Sequence, residues 1–394
     1  QECQLLEVAR YVGVEKESVE RMRRGVLDKP VDRSNPAFDF DPNKCILCGK
    51  CVRVCHELTA TGAIDLAFRG KDTVVATFAA KPLALSQCQN CGECMEHCPT
   101  GALSPKSLIA PEYEVETICP YCGVGCSINL GVRGREVVRV RGAKENGVNQ
   151  EGLCVKGRFG LDFVNHPDRL TRPLIRKEGA VKGAANGDIS EAFREADWDE
   201  ALDLIAKRLY SVREQCGPDA IGIISSAKCT NEENYLLQKF ARAVIGTNNV
   251  DHCARLCHAS TVTAALASFG SGAMSNSFSD IEQADMLFVI GSNTTACHPI
   301  VGRRIKRSAR SGAGLLVADP RITELGEIAD VRLNHFPGTD VALLNGMMRE
   351  IVQAGLHDQK FIEARTEGFG PFLESLEPYS LEYVEEITGV PAEK

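Results

Sequence analysis

The sequence predicts a multidomain protein of mixed class, in which α+β modules built around cysteines precede an open, mainly parallel α/β region. Twelve of the eighteen cysteines fall in three closely spaced sets between residues 45 and 154. The second half of the chain instead alternates strand and helix patterns, which is typical of parallel sheets. Its 394 residues can hold about two to three domains and segments between them. We expect four segments, which are residues 1–35, 36–112, 113–170 and 171–394.

Composition excludes several classes of protein. The net charge of −8 argues against nucleic acid as a partner, because such proteins carry a basic face. No apolar run reaches the length of a transmembrane helix. Most cysteines lie in C-x2-C spacings within a long chain, which indicates metal binding in a reducing, cytoplasmic compartment rather than disulfides. Because the first residue is Gln1 and not Met, we expect processing or truncation.

Residues 36–112 contain one cysteine pattern twice. The spacing C-x2-C-x2-C-x3-C occurs at Cys45, Cys48, Cys51 and Cys55, and again at Cys88, Cys91, Cys94 and Cys98. This is the run of bacterial two-cluster ferredoxins, in which the fourth cysteine of each run binds the other cluster. We therefore expect one [4Fe–4S] cluster on Cys45, Cys48, Cys51 and Cys98, and a second on Cys88, Cys91, Cys94 and Cys55. Two zinc sites are the disfavoured alternative, because two runs of C-x2-C-x2-C-x3-C are specific for cubane iron–sulfur clusters.

A third set of cysteines follows in residues 113–170. Its members are Cys119, Cys122, Cys126 and Cys154. Residues 127–142 alternate apolar and polar side chains around a glycine-rich turn, which predicts two small strands between the third and fourth cysteines. Spacing alone favours a third [4Fe–4S] cluster and leaves structural zinc as the alternative.

Here the sequence resembles a known family. Cys-Pro-Tyr-Cys-Gly-Val-Gly-Cys, followed by Leu153-Cys154-Val-Lys156, is similar to the N-terminal module of molybdenum or tungsten bis-pterin oxidoreductases, and most similar to formate dehydrogenases. The resemblance implies that Lys156 lies between the cluster and a pterin; an ordinary solvated lysine is the alternative. Near the N-terminus, Glu2-Cys3-Gln resembles the end of a His-Cys3 cluster segment, so Cys3 is either a ligand of part of a fourth cluster or a solvent-exposed thiol.

Residues 171–394 read as the incomplete catalytic α/β region of the molybdopterin oxidoreductase fold. Strand patterns near residues 220, 285 and 315 alternate with helices, and ligands of such sheets bind beyond the carboxyl ends of the strands. Three turns occupy such positions: Gly291-Ser292-Asn293, Asp319-Pro-Arg321 and Gly338-Thr339-Asp340. Ordinary turns use the same residues. The resemblance implies that these turns bind two molybdopterin guanine dinucleotides.

The segment Asp251-His-Cys-Ala-Arg-Leu-Cys257-His258 resembles the formate dehydrogenase segment whose cysteine or selenocysteine ligates the metal beside a histidine. The resemblance implies that Cys257 ligates Mo or W and that His258 orients formate or accepts its proton. A zinc site or buried thiols are the alternatives. Four further cysteines are predicted to be packed thiols: Cys216, Cys229, Cys253 and Cys297.

The resemblance implies a formate dehydrogenase catalytic subunit that oxidises formate to CO2, or catalyses the reverse reaction. Its electrons pass through the clusters to a partner. A flavin- and NAD-binding diaphorase subunit is the first choice of partner, and a hydrogenase subunit the second. The family's formate-binding arginine lies in a downstream segment beyond Lys394, so we expect a chain truncated at both ends. The rival hypothesis is a non-catalytic iron–sulfur subunit like the large peripheral subunit of complex I.

Overall fold

The computed structural model describes residues 4–15, 17–18, 28–143, 148–150, 152–183 and 189–394. The chain divides into two compact units. The first comprises Gln1–Asp162 and Ser277–Lys394, and the second Phe163–Asn276. Cys3, the predicted ligand of a fourth cluster, lies outside the described residues. Across the described ranges, no helix combines the length and the apolar character that a membrane crossing needs.

The two cysteine runs of the first unit fold in the same way. Each enters a short helix, Lys50–Arg53 or Glu93–Glu96, through a glycine in the left-handed region. The φ angles are +71° at Gly49 and +74° at Gly92, a conformation that only glycine adopts without strain. The glycine therefore lets the backbone turn tightly between the second and third cysteines of each run.

Short elements connect these runs. Strand Phe38–Phe40 pairs antiparallel with Leu103–Pro105, and Ile64–Ala67 and Val74–Thr77 form an antiparallel hairpin between the runs. The remaining described helices of this part are Gln4–Tyr11, the π-helix Val54–Leu58, and the 3₁₀ turns Pro42–Lys44, Gly70–Asp72, Phe78–Ala80 and Leu83–Leu85. The buried core between the runs contains Phe38, Ile64, Val75, Leu83, Met95 and Leu103.

The third cysteine set lies on a three-stranded antiparallel sheet followed by the helix Val155–Phe159. The sheet contains the two predicted strands, Ser127–Arg133 and Glu136–Gly142, and adds Tyr113–Ile118 at one edge. Every residue of that edge strand is exposed, so it lacks the alternation that marks a half-buried strand. The buried core of this module contains Ile128 and Leu153. It also includes Ile300, which belongs to the later helix Pro299–Arg310.

The predicted parallel region is present in the first unit. Strands Met286–Ile290, Gly314–Ala318 and Val331–Leu333 form a parallel sheet in that order. The first two strands are connected by Pro299–Arg310, which we call the basic helix. The other helices here are Asp280–Gln283, Thr294–Cys297, Glu324–Glu327, Asp340–Gln353, Gln359–Arg365, Phe369–Leu376 and Leu381–Thr388. The predicted fold class is therefore confirmed.

The second unit contains two small sheets. Leu174–Arg176 pairs antiparallel with Phe193–Glu195, and Ile223–Ser225 pairs parallel with Val250–His252. Its described helices are Ile189–Ala192, Trp198–Cys216, Pro218–Ala220, Asn231–Lys239, Phe240–Ile245, Ala254–Cys257 and Ala259–Phe269. The 3₁₀ helix Asp162–Val164 contains the boundary between the two units. Helix Trp198–Cys216 begins directly after Asp197, which caps it by accepting a hydrogen bond from the Glu200 N–H.

Alanine at position 92 is expected to destabilise the protein more than alanine at position 49. Both substitutions place a side chain in the left-handed region, which costs about 1–2 kcal/mol. Only Gly92→Ala adds a clash, because its Cβ would lie 2.7 Å from Arg158 Cδ and 2.8 Å from Phe159 Cζ. Overpacking of this kind costs a further ~1–3 kcal/mol. Thermal unfolding of the two variants measures the difference, and equal losses would show that Arg158 and Phe159 move aside freely.

Candidate functional site

The cysteines of the two runs approach one another in the crossed arrangement that the spacing predicts. One cavity is lined by all four of Cys55, Cys88, Cys91 and Cys94. In the other set, burial and then the neighbouring thiols of Cys45, Cys98 and Cys48 raise the pKa of Cys51 to about 12. The fold therefore brings the fourth cysteine of each run to the first three cysteines of the other.

The surroundings of these thiols fit iron–sulfur clusters. Backbone N–H groups donate to sulfur in both sets, from Leu47 to Cys45 Sγ (3.4 Å), Ala63 to Cys55 Sγ (3.2 Å), Asn90 to Cys88 Sγ (3.4 Å) and Leu103 to Cys98 Sγ (3.5 Å). Hydrogen bonds of this kind stabilise thiolate and tune cluster potentials. Burial is the main cause that raises the pKa of Cys88, to about 11, so metal binding must displace its proton.

The third set also converges. Burial, followed by the charges of Cys119, Cys122 and Cys154, raises the pKa of Cys126 to about 12. Gly157 lies so close that an added Cβ would be 3.5 Å from Cys119 Sγ. Within the described ranges, no three His, Cys, Asp or Glu side chains are placed to hold a single metal ion.

Lys156 lies beside this third set. Its positive charge is one of the influences that lower the pKa of Cys119, although burial is the larger cause and leaves that pKa raised. Its Nζ donates to the carbonyl oxygen of Ala296 at 3.4 Å, in the short helix Thr294–Cys297 that follows strand Met286–Ile290. Lys156 therefore lies between the third cysteine set and the carboxyl end of the parallel sheet.

A buried ion pair that sequence reasoning missed joins the second and third sets. Glu93 and Arg158 have side chains only 2% exposed, and their closest atoms are 2.6 Å apart. Glu93 also accepts a hydrogen bond from the Leu153 N–H at 2.6 Å, and Arg158 Nε donates to the Cys91 carbonyl at 2.8 Å. No local pattern could reveal this pair, because its members are 65 residues apart.

The three predicted turns meet at the carboxyl edge of the parallel sheet. Gly291, with φ +60°, donates from its N–H to the Ala318 carbonyl at 2.9 Å, one residue before Asp319. His335 Nε2 lies 3.1 Å from Asp340 Oδ1, and Asn334 Nδ2 donates to the Asp319 carbonyl at 2.8 Å. This edge is the expected place for a nucleotide-like ligand.

Within that edge, Asp319 is held as a carboxylate. Burial is the largest influence and would raise its pKa, but hydrogen bonds from the Arg321 side chain and backbone together leave the pKa lowered. The two Asp319–Arg321 contacts to Oδ1 are 3.1 Å from Nε and 2.8 Å from the backbone N–H. Asn334 and His335 were not predicted, although they follow directly on the short strand Val331–Leu333. Buried His335 leaves its Nδ1 without a hydrogen-bond partner in the described residues.

Cys257 and His258 lie at a break between two helices of the second unit. Cys257 ends helix Ala254–Cys257, and His258, with φ −134°, begins helix Ala259–Phe269. The Cys257 thiol is exposed, and His258 is exposed beside it. An ion pair of 2.9 Å between Asp251 and Arg255 braces the start of this segment. The break presents a thiol and an imidazole on adjacent residues.

The prediction that the other four cysteines are packed thiols is wrong. Cys216, Cys253 and Cys297 are exposed and Cys229 is half-buried. Residue type alone supported the prediction, and these positions lie at helix ends and turns rather than on apolar faces. The Cys253 sulfur accepts a hydrogen bond from the Ala227 N–H at 3.2 Å.

A profile of the molybdopterin oxidoreductase family matches residues 169–369, about half of the chain. The chain belongs to the molybdopterin oxidoreductase family. The Fe4S4 domain of molybdopterin oxidoreductases matches residues 112–166, and a 4Fe-4S dicluster domain matches residues 30–102. These matches confirm the resemblance inferred from the cysteine motifs and support pterin-bound Mo or W together with 4Fe–4S clusters in this family.

Relatives of this molybdopterin oxidoreductase chain extend beyond it. A Bacillus subtilis (strain 168) protein provisionally named an oxidoreductase, YjgC, is 36% identical over 406 residues. A Staphylococcus aureus (strain bovine RF122) protein provisionally named a formate dehydrogenase is 36% identical over 409 residues. Each alignment covers 92% of this chain and 40% of the relative, so the chain spans about two fifths of the length of these curated relatives. Among solved structures, acetylene hydratase from Pelobacter acetylenicus matches with a TM-score of 0.61 and 27% identity, over 71% of this chain and 37% of that one.

The crossed arrangement predicts which cysteine variants lose the same cluster signal. Cys55→Ser and Cys91→Ser are expected to remove one electron paramagnetic resonance signal of the reduced protein, whereas Cys98→Ser and Cys51→Ser remove the other. The reason is that the fourth thiolate of each cluster comes from the other run. Cys216→Ser, at an exposed thiol, serves as the matched control and should keep both signals. If Cys55→Ser and Cys51→Ser removed the same signal, the crossed pairing would be rejected.

Proposed function

We propose that this chain is the catalytic portion of a molybdenum- or tungsten-dependent formate dehydrogenase. The reaction is HCOO⁻ → CO2 + H⁺ + 2e⁻, or its reverse. The observation that carries the proposal is Cys257-His258, an exposed thiol and imidazole presented at a helix break within the part of the chain that matches the family. The relative provisionally named a formate dehydrogenase supports the choice of formate as substrate.

The residues present fit the implied cofactors. A Mo or W centre with two molybdopterin guanine dinucleotides supplies the two-electron chemistry when bound, and three [4Fe–4S] clusters supply one-electron carriers. Cys257 provides the thiolate that a soft metal prefers. The turns at Gly291–Asn293, Asp319–Arg321 and Gly338–Asp340 provide backbone N–H groups, hydroxyls and carboxylates for the dinucleotide ends. Buried Asp319 is suited to bind the donor edge of a guanine, because Arg321 keeps it ionised.

His258 has a separate role from Cys257. It is the residue between the two helices, next to the proposed metal ligand, so its exposed imidazole would be available to a substrate without itself ligating the metal. An imidazole can orient the formate carboxylate by a hydrogen bond and can accept the proton that the reaction releases.

Three cluster sites in one chain are best explained as a path that delivers electrons to a partner. Lys156 lies beside the third cysteine set, and the Glu93–Arg158 pair joins that set to the second. We propose a flavin- and NAD-binding diaphorase subunit as the partner, with a hydrogenase subunit as the second choice. The high content of free thiols fits a reducing, cytoplasmic location.

Cys257→Ala is expected to abolish formate-dependent dye reduction by the full-length protein, because it removes the metal's protein ligand. Iron content and cluster spectra should remain unchanged, since none of the predicted cluster cysteines is altered. Cys253→Ala, four residues earlier on the same segment, is the control and should retain most activity. A Cys257→Ala variant with normal turnover would reject the assignment of Cys257.

Metal analysis separates the enzyme from a non-catalytic relay. About one Mo or W per chain alongside iron is expected for the purified full-length protein, because the bis-pterin centre binds one metal. Iron without Mo or W, together with a lack of formate-dependent dye reduction, would instead identify an electron-transfer subunit like that of complex I.

A further inference from the structure

Arg303 is a buried cation at the junction of the second and third cysteine sets. It lies on the basic helix and is only 5% exposed. Its Nη2 donates to the Leu153 carbonyl at 3.0 Å, and Leu153 precedes Cys154 of the third set. Arg303 also lies beside Gly152, since an added Cβ there would be 3.4 Å from Arg303 Nη1 and 3.8 Å from Glu93 Oε1. The basic helix therefore places a positive charge directly against the loop that carries the last cysteine.

The charge of Arg303 is not neutralised by a carboxylate of the described residues. Its neighbours differ: Arg304 pairs with Glu282 at 3.0 Å, and Arg158 pairs with Glu93. The Nε and Nη1 atoms of Arg303 also lack a hydrogen-bond partner in the part of the chain that the structure describes. A buried, unpaired guanidinium is costly, so an anion is expected to lie against it.

The contacts of Arg303 reach both the second and the third cysteine set. Leu153, whose carbonyl binds Arg303, also donates its N–H to Glu93 Oε1 at 2.6 Å, and Glu93 lies between Cys91 and Cys94 of the second set. Ile300, three residues before Arg303 on the basic helix, belongs to the same buried core cluster as Cys119 and Cys126 of the third set. The guanidinium therefore lies close to the cysteine loops of both sets.

We propose that Arg303 is a charge-compensating residue shared by the second and third iron–sulfur clusters, and that it raises the reduction potential of both. The inference rests on the cluster sites of the proposed function. An iron–sulfur cluster with four thiolates is anionic and gains a further negative charge on reduction, so a nearby buried cation favours the reduced form. Because one residue acts on two sites, it shifts their potentials in the same direction and keeps them matched.

The test is a potentiometric titration of the full-length, cluster-loaded protein followed by electron paramagnetic resonance. Arg303→Gln and Arg303→Met both remove the charge, and the apolar Met variant guards against misfolding, since buried ions are often replaced by apolar side chains without loss of stability. We expect the one-electron reduction equilibria of the second and third clusters to fall at least tenfold, which is a shift of 59 mV. The cluster on Cys45, Cys48, Cys51 and Cys98 should not shift.

Two further variants separate charge from packing. Arg303→Lys keeps the charge and should leave the potentials closer to those of the wild type than either neutral variant does. Arg304→Gln is the matched control, because Arg304 is equally buried at 5% but is paired with Glu282. It should leave all three potentials unchanged. Selective loss of iron from the second and third sites in the neutral variants would also support the proposal.

Unchanged potentials in Arg303→Gln or Arg303→Met, with full iron content, would overturn the proposal. That result would mean that a neutral group satisfies Arg303, such as one water in the cavity of about 10 Å³ that Arg303, Arg304 and Arg307 line. Equal loss of iron from all sites in the Arg303 and Arg304 variants would also overturn it, as a structural effect. If formate-dependent dye reduction persists while these potentials do not shift, only this inference fails. A wild type without clusters would instead reject the proposed function.

Discussion

The structure of the first unit depends on the buried ion pair between Glu93 and Arg158. Taking two charges out of water is costly, and the cost is repaid only when further hydrogen bonds satisfy both groups. Here the Leu153 N–H donates to Glu93, and Arg158 Nε donates to the Cys91 carbonyl. Arg158 Nη1 makes no hydrogen bond within the described residues but lies 3.3 Å from a second carboxylate, Glu96. Removing either side chain would leave an unpaired buried charge beside the loops of the second and third cysteine sets. The pair therefore fixes the position of one cysteine loop against the other.

The basic helix extends the same network into the parallel α/β region. It presents two buried arginines in succession, and both bind carbonyls of the loop before Cys154, Arg303 at Leu153 and Arg304 at Val148. Lys306 on the same helix pairs with Glu324 at 2.6 Å, beyond strand Gly314–Ala318. The helix thus fixes the sheet that carries the predicted pterin turns against the module that carries the third cysteine set. A rigid relation between cofactor sites is what electron transfer over fixed distances requires.

Much of this arrangement could be predicted, because its signals lie within short stretches of sequence. Three ligands of one cluster are separated by only two residues each, so Cys45 to Cys55 and Cys88 to Cys98 can be recognised as motifs. Turns at strand ends are also local, which is why the positions of Gly291 and Asp319 at the edge of the parallel sheet could be predicted. The buried arginines were not predictable, because Arg303 and Leu153 are 150 residues apart and only the fold brings them together. His335 was missed because its strand, Val331–Leu333, is only three residues long.

The two kinds of cysteine in this chain lie in different environments. The proposed metal ligand Cys257 is exposed at the end of a short helix, where a thiolate is accessible to a soft metal. Several of the proposed cluster cysteines are instead buried, and burial is the main cause that raises the pKa of Cys51 and of Cys126 to about 12, so metal binding must displace their protons. An anionic cluster at these sites would need a compensating cation, and the buried cations beside them are Arg158 and the arginines of the basic helix. The basic helix would then serve the proposed clusters as well as the sheet that carries the predicted pterin turns.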